Sequence, residues 1–416
     1  MKKALKVSID SRLIKPGEYF VPVKGDVTDG HKYIDIALQN GAAGIIEENE
    51  LYKLASKKLA KIKPIVIAVT GSVGKSTMVG FIVTLLSQKF KVCKGSLNTK
   101  LGLAVNIIND MKSNDQIFVA ETGMDRAGEL LETGNFISPY IAVITNVSKT
   151  HMEKLGSFEN IKKAKGELLQ TIRQGGCAFI NWDNVGAKSI SKYVPKSVSL
   201  RGYKLCSEDN DKPFNLIGKH NKVLACGAIE IAKFFKLSPK EISEGIKSLR
   251  TPKGRLAIIA GINNSIIIDD SYNSSPVSVR GAFEAVCSYY KCNKMKGRKI
   301  AILGGALELG SYEDKGHKEI GNAVANFKFN DLVLVGKLAR KIQKSSKLQN
   351  SKTSIHFCKD NMSAGNFVKD KLKPQKSDII LVKASQGIRL EKTVEILMKY
   401  PNKAPELLVR QDARWK

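Results

Sequence analysis

In IVIAVTGSVGKSTMVGFIVTLL, residues 65–86, a run of Ile, Val and Ala meets Thr70-Gly71-Ser72-Val73-Gly74-Lys75-Ser76-Thr77, and an apolar stretch at helical spacing follows. The pattern predicts a buried strand, a glycine-rich turn and a helix. Backbone N–H groups from Gly71 to Lys75 can line a nest for phosphate oxygens at the positive end of that helix. Gly71 and Gly74 permit the tight turn and close approach. Lys75 suits the outer phosphates, and the Ser76 hydroxyl suits Mg²⁺. The loop departs from G-x-x-x-x-G-K-[ST] at one place, because Val69 stands where the first Gly belongs.

Outward from this loop the same grammar repeats. QIFVAETG, YIAVITNV and CAFIN read as strands, each followed by turn or helix signals, and so do SIIIDDSYN, KIAILGG, DLVLVG and DIILVKAS. Short apolar runs alternating with helices predict parallel sheets covered on both faces. Ligands gather at the carboxyl ends of such strands. The chemistry-bearing residues stand there: Glu121 after QIFVA, Asn146 and then His151 after YIAVIT, and Asp269 with Asp270 after SIII. Glu121 is placed for a Mg²⁺ ligand or is a solvated strand end. His151 reads equally as a metal ligand or a structural histidine. Asn221 reads a base edge or caps a helix, and Arg255 reaches a phosphate or covers a linker. Lys162, Lys163 and Lys165 form a basic helix face. Before residue 65, EYFVPVKG and AAGIIEE read as short strands and HKYIDIALQNGA as a helix. The expected division is 1–64, 65–255 and 256–416.

The chain has 416 residues, 43% of them hydrophobic, which is enough for two or three domains with a sizeable core. No run approaches a membrane span or a signal peptide. Seven scattered Cys without C-x-x-C predict reduced thiols and a cytoplasmic location. The net charge of +29 is mostly Lys in dispersed clusters such as Lys57-Lys58 and Lys369 to Lys376. Without an aromatic-interleaved basic block, this favours a spread lysine bias over a nucleic-acid track.

Taken in order, TGSVGKST, ETGMDRAGEL, ITNVSKTHMEKLGS, AKGEL, HN, GR, DDSYNSSP, LELG…H and VKASQGIRLE resemble the Mur ligase superfamily of ATP-dependent amide-bond-forming enzymes. Its TG[ST]xGK[ST] loop lacks the first Gly, as here. The opening IDSRLIKPGEYFVPVKGDVTDGH and the DDSYNSSP segment are most similar to the MurF type, which joins D-alanyl-D-alanine to a UDP-N-acetylmuramoyl-tripeptide. The resemblance implies an α/β chain of three domains: a small UDP-sugar-binding domain, a central P-loop mononucleotide-binding parallel sheet and a C-terminal Rossmann-like domain that takes the second substrate. It implies that Thr70 to Thr77, Asn221, Arg255 and Asp270 hold ATP. Ser76 and Glu121 would hold one Mg²⁺, and His151 a second. Lys165 aligns with the superfamily lysine that can carry a carbamate. Ser11, Arg12, Lys24, Asp29, Gly30, His31, Asn98, Thr99, Asn273, Lys383 and Ser385 would bind the other substrates, with help from Arg389. The implied protein is a monomer. Its rivals are a sister ligase adding an amino acid or extending folate with glutamate, a nucleic-acid-stimulated ATPase, and a degenerate homologue. Three segments depart from the family pattern: Asn98-Thr99-Lys100 has one Asn too few, Gly305-Ala306 replaces an Asp and a Met, and Lys383-Ala384-Ser385-Gln386 replaces a KGSR-like run.

Overall fold

A computed structural model describes residues 5–25, 28–148, 152–206, 216–412 and 415. The chain forms two compact units. The first comprises Met1–Val147, Lys162–Lys204 and Gly227–Ser248; the second comprises Ser148–Ile161, Leu205–Cys226 and Leu249–Lys416.

The first unit opens with a small parallel sheet of two-residue strands, β1 (Val7–Ser8), β2 (Tyr19–Phe20) and β3 (Gly44–Ile45). EYFVPVKG and AAGIIEE thus supply shorter strands than their apolar content suggests. Asn109 clamps β1 through its side-chain amide, accepting from Val7 N at 2.9 Å and donating to Val7 O at 2.8 Å. The main sheet contains β4 (Ile65–Thr70), β5 (Val92–Gly95), β6 (Ile117–Glu121), β7 (Ile141–Ile144), β8 (Cys177–Asn181) and β9 (Ser199–Tyr203). Its order is β5-β6-β4-β7-β8-β9, parallel throughout. β6, β7 and β8 are almost wholly buried, because helices cover both faces of the sheet.

The second unit carries a six-stranded sheet of β10 (Ala257–Ala260), β11 (Ile266–Asp270), β12 (Lys299–Gly304), β13 (Asp331–Val335), β14 (Ser354–Cys358) and β15 (Ile379–Lys383), in the order β10-β11-β15-β12-β13-β14. One pair, β10 with β11, is antiparallel, which corrects the expectation of uniformly parallel pairing. The reason is local. Gly261 to Ser265 make a tight reversal, with Gly261 N donating to Ser265 O, so β10 turns straight back into β11 without a crossover helix. Two apolar layers sandwich this sheet. One is built around Phe283, which packs on Phe329 with ring centroids 4.7 Å apart. The other gathers Ile267, Val382, Leu390 and Leu397.

A further correction concerns the thiols. Cys206 and Cys226 are joined by a disulfide, not reduced. Cys226 lies on the helix Lys219–Phe234 and presents its sulfur to Cys206, whose backbone N–H lies 3.0 Å from it; the two Cα atoms are 5.9 Å apart. Among the described residues no helix is long and apolar enough to cross a membrane.

Phe283 has no solvent exposure. Phe283→Ala is expected to cost about 3–5 kcal/mol, measured as a lowered denaturation midpoint of the transition that buries this core. A midpoint unchanged from wild type would contradict the packing described.

Candidate active site in the two units

In the first unit the loop after β4 is held from the neighbouring strand. Thr145 and Asn146 continue β7. Asn146 O accepts from Ser72 N at 3.0 Å and Asn146 Oδ1 from Val73 N at 2.8 Å, while Thr145 Oγ1 donates to Val73 O at 2.6 Å. Asn181 in turn donates to Thr145 O at 2.8 Å. Gly71 (φ 152°) lies against this brace: a Cβ there would overlap Thr145 Oγ1 and sit 3.0 Å from Asn146 N. Gly74 (φ 82°) turns the chain into the helix Lys75–Leu86. Thr70 and Thr77 are buried, and among the described residues the Thr70 hydroxyl has no hydrogen-bond partner.

At that helix start Ser76 Oγ donates to Glu121 Oε2 at 2.7 Å, and Lys75 Nζ donates to Gly71 O at 3.0 Å. A hydroxyl and a carboxylate oxygen beside a phosphate nest fit a hard divalent cation whose other ligands are water and phosphate oxygens. Lys165, on the helix Phe158–Gln170, is only 2% exposed. Burial pushes its pKa well below the usual lysine range, and the Lys75 ammonium pushes it further. Two residues on, Glu167 accepts from Gly128 N at 2.8 Å and Leu131 N at 3.3 Å, which anchors the helix Glu129–Ile137. His151 lies outside the described residues.

The remaining expected residues of this unit have local partners as well. Asn98 O accepts from Gly123 N, and Thr99 caps the helix Lys100–Asn109 through Gly102 N. Lys100 Nζ lies 4.4 Å from the Tyr52 ring centroid. Ser11 is buried, while Arg12 pairs with Asp10 at 2.8 Å. Lys24 bridges Asp29 through the backbone. Asp29 accepts from His31 Nδ1 at 2.7 Å and thereby raises the imidazole pKa. Gly30 packs so closely that a Cβ would stand 2.5 Å from Val23 N.

The second unit brings Asp270, Asn273 and Lys383 together. Lys383, 1% exposed, donates to Asp270 Oδ2 at 2.6 Å and to Asn273 O at 2.8 Å. Burial lowers the Lys383 pKa, and Asp270 opposes that shift. Leu256 N donates to the other Asp270 oxygen at 3.2 Å. Ser385 Oγ accepts from Leu307 N at 2.9 Å and donates to Ser274 O at 3.4 Å. Asn221 is buried and donates to Ile217 O at 2.8 Å. Arg255 stacks over the Tyr272 ring at 4.2 Å. Asp269 is fully buried and its pKa is pushed up to about 6, chiefly by desolvation.

Three family models match the chain in succession: the Mur ligase family catalytic domain over residues 5–72, the Mur ligase middle domain over 69–238, and the Mur ligase glutamate ligase domain over 254–386. A UDP-N-acetylmuramoyl-tripeptide–D-alanyl-D-alanine ligase of Bacillus subtilis (strain 168) is 30% identical over 95% of this chain and 93% of its own length. The chain belongs to the Mur ligase family. Among solved structures, the MurF ligase from Thermotoga maritima in complex with ADP superimposes with a TM-score of 0.78 at 25% identity, covering 98% of this chain and 100% of that one. MurF from Acinetobacter baumannii gives 0.79 at 24% identity over 94% and 92%, a likeness of fold.

Two departures of this Mur ligase from the family pattern have packing reasons. A Cβ at Gly305 would come within 2.9 Å of Leu338, and Ala306 is buried with its N–H donating to His317 Nε2 at 3.2 Å. His317 Nδ1 faces Glu313 O at 2.8 Å, so both ring nitrogens of this histidine have partners. The sequence reading did not single out Thr145, nor the fully buried Glu391, which accepts from Arg410 Nε and Nη2 at 3.0 and 2.8 Å and from Arg389 Nε at 3.1 Å. Thr145 and Glu391 stand inside quoted motifs, but nothing local marks the bonds they make, because Val73 and Arg410 lie far along the chain.

Gly71→Ala in this Mur ligase is expected to abolish nucleotide binding measured by calorimetry. Gly80→Ala, where an added Cβ meets nothing within 4 Å, is expected to bind normally and to gain up to about 1 kcal/mol of stability. Binding by the first variant would refute the close approach of the loop to Thr145. Asp269 gives a pH signature. Its folded pKa lies above the usual 3.8, so the native state holds the proton longer. That contribution is fully present below about 3.8 and is lost as pH rises to about 6. Asp269→Asn is expected to flatten the difference in melting temperature across that window; a parallel fall in both proteins would contradict it.

Proposed function

We propose that the chain joins D-alanyl-D-alanine to UDP-N-acetylmuramoyl-tripeptide at the expense of ATP, with ADP and phosphate as the other products. The observation that carries this reading is the full-length likeness to ligases of that name, on a chain whose Ser76–Glu121 pair and braced loop are built for a nucleoside triphosphate. An oxygen of the terminal peptide carboxylate attacks the γ-phosphorus, and ADP leaves. The dipeptide amine then attacks the acyl phosphate, a C–N bond forms, and phosphate leaves with loss of an amine proton.

The protein contributes position and charge. N–H groups of the loop cradle the phosphates, and Lys75 neutralises their outer charge. Ser76 and Glu121 would hold Mg²⁺, which when bound polarises the phosphate oxygens. Arg255 would serve the γ-phosphate, and Asn221 and Asp270 the nucleoside. Ser11 and Arg12, with Lys24, Asp29, Gly30 and His31, would take the UDP sugar.

Lys165 has the chemistry for a carbamate. Addition of CO₂ requires the neutral amine, which burial favours here. The nitrogen lone pair forms the N–C bond and a proton is released, which turns the neutral amine into a carboxylate-like anion near Lys75. Equilibration with labelled CO₂ is expected to give a carbamate signal in carbon NMR that Lys165→Arg removes. A signal that persists in the variant, or none in the wild type, counts against the modification.

The reaction itself is tested by phosphate release with ATP and Mg²⁺, adding the two substrates separately and together. Release that needs both, with a pentapeptide product by mass, is the expected result. Release without that product would reject the assignment.

A further inference from the structure

Arg255 stands in a loop of the second unit that is fixed from several sides. Arg255 N donates to Pro252 O at 3.1 Å, Tyr272 N donates to Gly254 O at 3.1 Å, and Lys253 Nζ donates to Pro405 O at 2.9 Å. Together with the bond from Leu256 N to Asp270, these tie the loop to the residues after β11 and to the C-terminal stretch. The backbone is left-handed on both sides of Arg255, with φ 67° at Gly254 and φ 55° at Leu256. Leu256 is buried, and a leucine holds that conformation only where its surroundings fix it. A Cβ at Gly254 would stand 3.1 Å from Tyr272 N and 3.3 Å from Val409 Cγ1, so any side chain there would crowd both segments.

The Arg255 side chain is held in a different way. Its guanidinium carbon lies 4.2 Å from the Tyr272 ring centroid, and among the described residues no carboxylate or carbonyl takes its N–H groups. A stacked guanidinium has its plane set by the ring and keeps its edge donors for an oxygen ligand. Tyr272 is 38% exposed, so core burial does not fix the ring. Arg410 fixes the backbone that carries it, with Nη2 donating to Ser271 O at 2.8 Å and Nη1 to Tyr272 O at 3.3 Å. The Arg410 side chain is only 5% exposed and is itself clamped on the buried Glu391 through Nε and Nη2. A buried carboxylate with two bonds to one guanidinium leaves that guanidinium little freedom. A continuous line of contacts thus runs from Glu391 through Arg410 and Tyr272 to Arg255.

We propose that Tyr272, with Arg410 clamped on Glu391 behind it, is the positioning residue that presents the Arg255 guanidinium to the γ-phosphate. This rests on the ligase reading above, in which Arg255 serves that phosphate. A free arginine side chain loses rotamer freedom when it takes a phosphate, and ordering it in advance removes that cost from the binding step. The benefit falls on a nucleotide with a γ-phosphate and not on ADP.

The test is calorimetry on the full chain with ADP and with the β,γ-methylene analogue of ATP, each with Mg²⁺. Tyr272→Leu keeps apolar bulk and removes the ring face. It is expected to weaken the analogue about fivefold, with ADP within about twofold of wild type. Tyr272→Phe keeps the face and is expected to bind both nucleotides as wild type does. Arg410→Lys keeps a charge but cannot span Glu391 and both carbonyls, and it is expected to show the same selective loss. The double variant of Tyr272→Leu and Arg410→Lys is expected to lose no more than either single change, because both act through one contact. Arg255→Ala is the reference and is expected to weaken the analogue at least as much. An analogue affinity unchanged in Tyr272→Leu, or equal losses for ADP and the analogue, would overturn the positioning role while the effect of Arg255→Ala keeps the phosphate role standing. A loss in Tyr272→Phe as large as in Tyr272→Leu would also overturn it, because the ring face would then not be what matters. Should Arg410→Lys fail to fold, the two Tyr272 variants decide alone. An Arg255→Ala protein that binds both nucleotides like wild type would remove the phosphate role of Arg255 and this inference together.

Discussion

The hydrogen bonds from Thr145 and Asn146 to the loop 71–74 are the constraint on which the first unit depends. A nest of N–H groups serves phosphate only if the groups converge, and an unbraced glycine-rich turn has many other conformations to occupy. The brace comes from the adjacent parallel strand, so the sheet register sets the loop shape. β4 pairs with β7 from Ile67–Ile141 to Thr70–Ile144, which brings Thr145 and Asn146 level with Gly71 to Val73. The same pairing of β4 with β6 delivers Glu121 to Ser76. A slip of one residue would turn both sets of side chains to the opposite face.

Buried charge organises the second unit in a comparable way. Lys383 on β15 and Asp270 on β11 are neighbours in register, and their contact joins two strand ends in the interior. Pairs of this kind add little net stability over apolar packing, yet removal of one partner costs about 3–5 kcal/mol because the other stays buried and uncompensated. Their effect is to select one arrangement of the loops after these strands. Glu391 does the same for the chain around Arg389 and Arg410. In both cases a charged side chain that looks like a ligand contact in sequence spends its bonding capacity on the protein.

The buried strands were legible because burial on both faces leaves continuous apolar runs: IVIAVT, QIFVA, CAFIN and DLVLV. β5, β9, β10 and β14 were not read, and all four are sheet edges. An edge strand meets solvent along one side, so VCKG and SLRGY mix apolar with polar residues and resemble loops. The phosphate loop and Glu121 could be read from strand ends alone. The bonds of Thr145 to Val73 and of Glu391 to Arg410 could not, since each joins segments many residues apart. The disulfide was hidden for the same reason: its two cysteines are 20 residues apart, with no spacing motif between them.

The edges also bear on how the chain behaves at high concentration. β5 carries Lys94 and β9 carries Arg201, and a cation on an outer strand discourages pairing with a second sheet. β10 has no charged residue, and Ile258 is 45% exposed. The bridge between Gly261 and Met398, with Lys399 N donating to Ala260 O, occupies one end of that strand. The rest of β10 is an edge without Lys, Arg, Asp or Glu, as is β14 at the far side of the sheet, so a chain that loses the 398–399 segment first would present residues 257–260 as a template for intermolecular strand addition. Resistance to strand addition at the β10 edge therefore depends on how firmly Met398 and Lys399 stay docked.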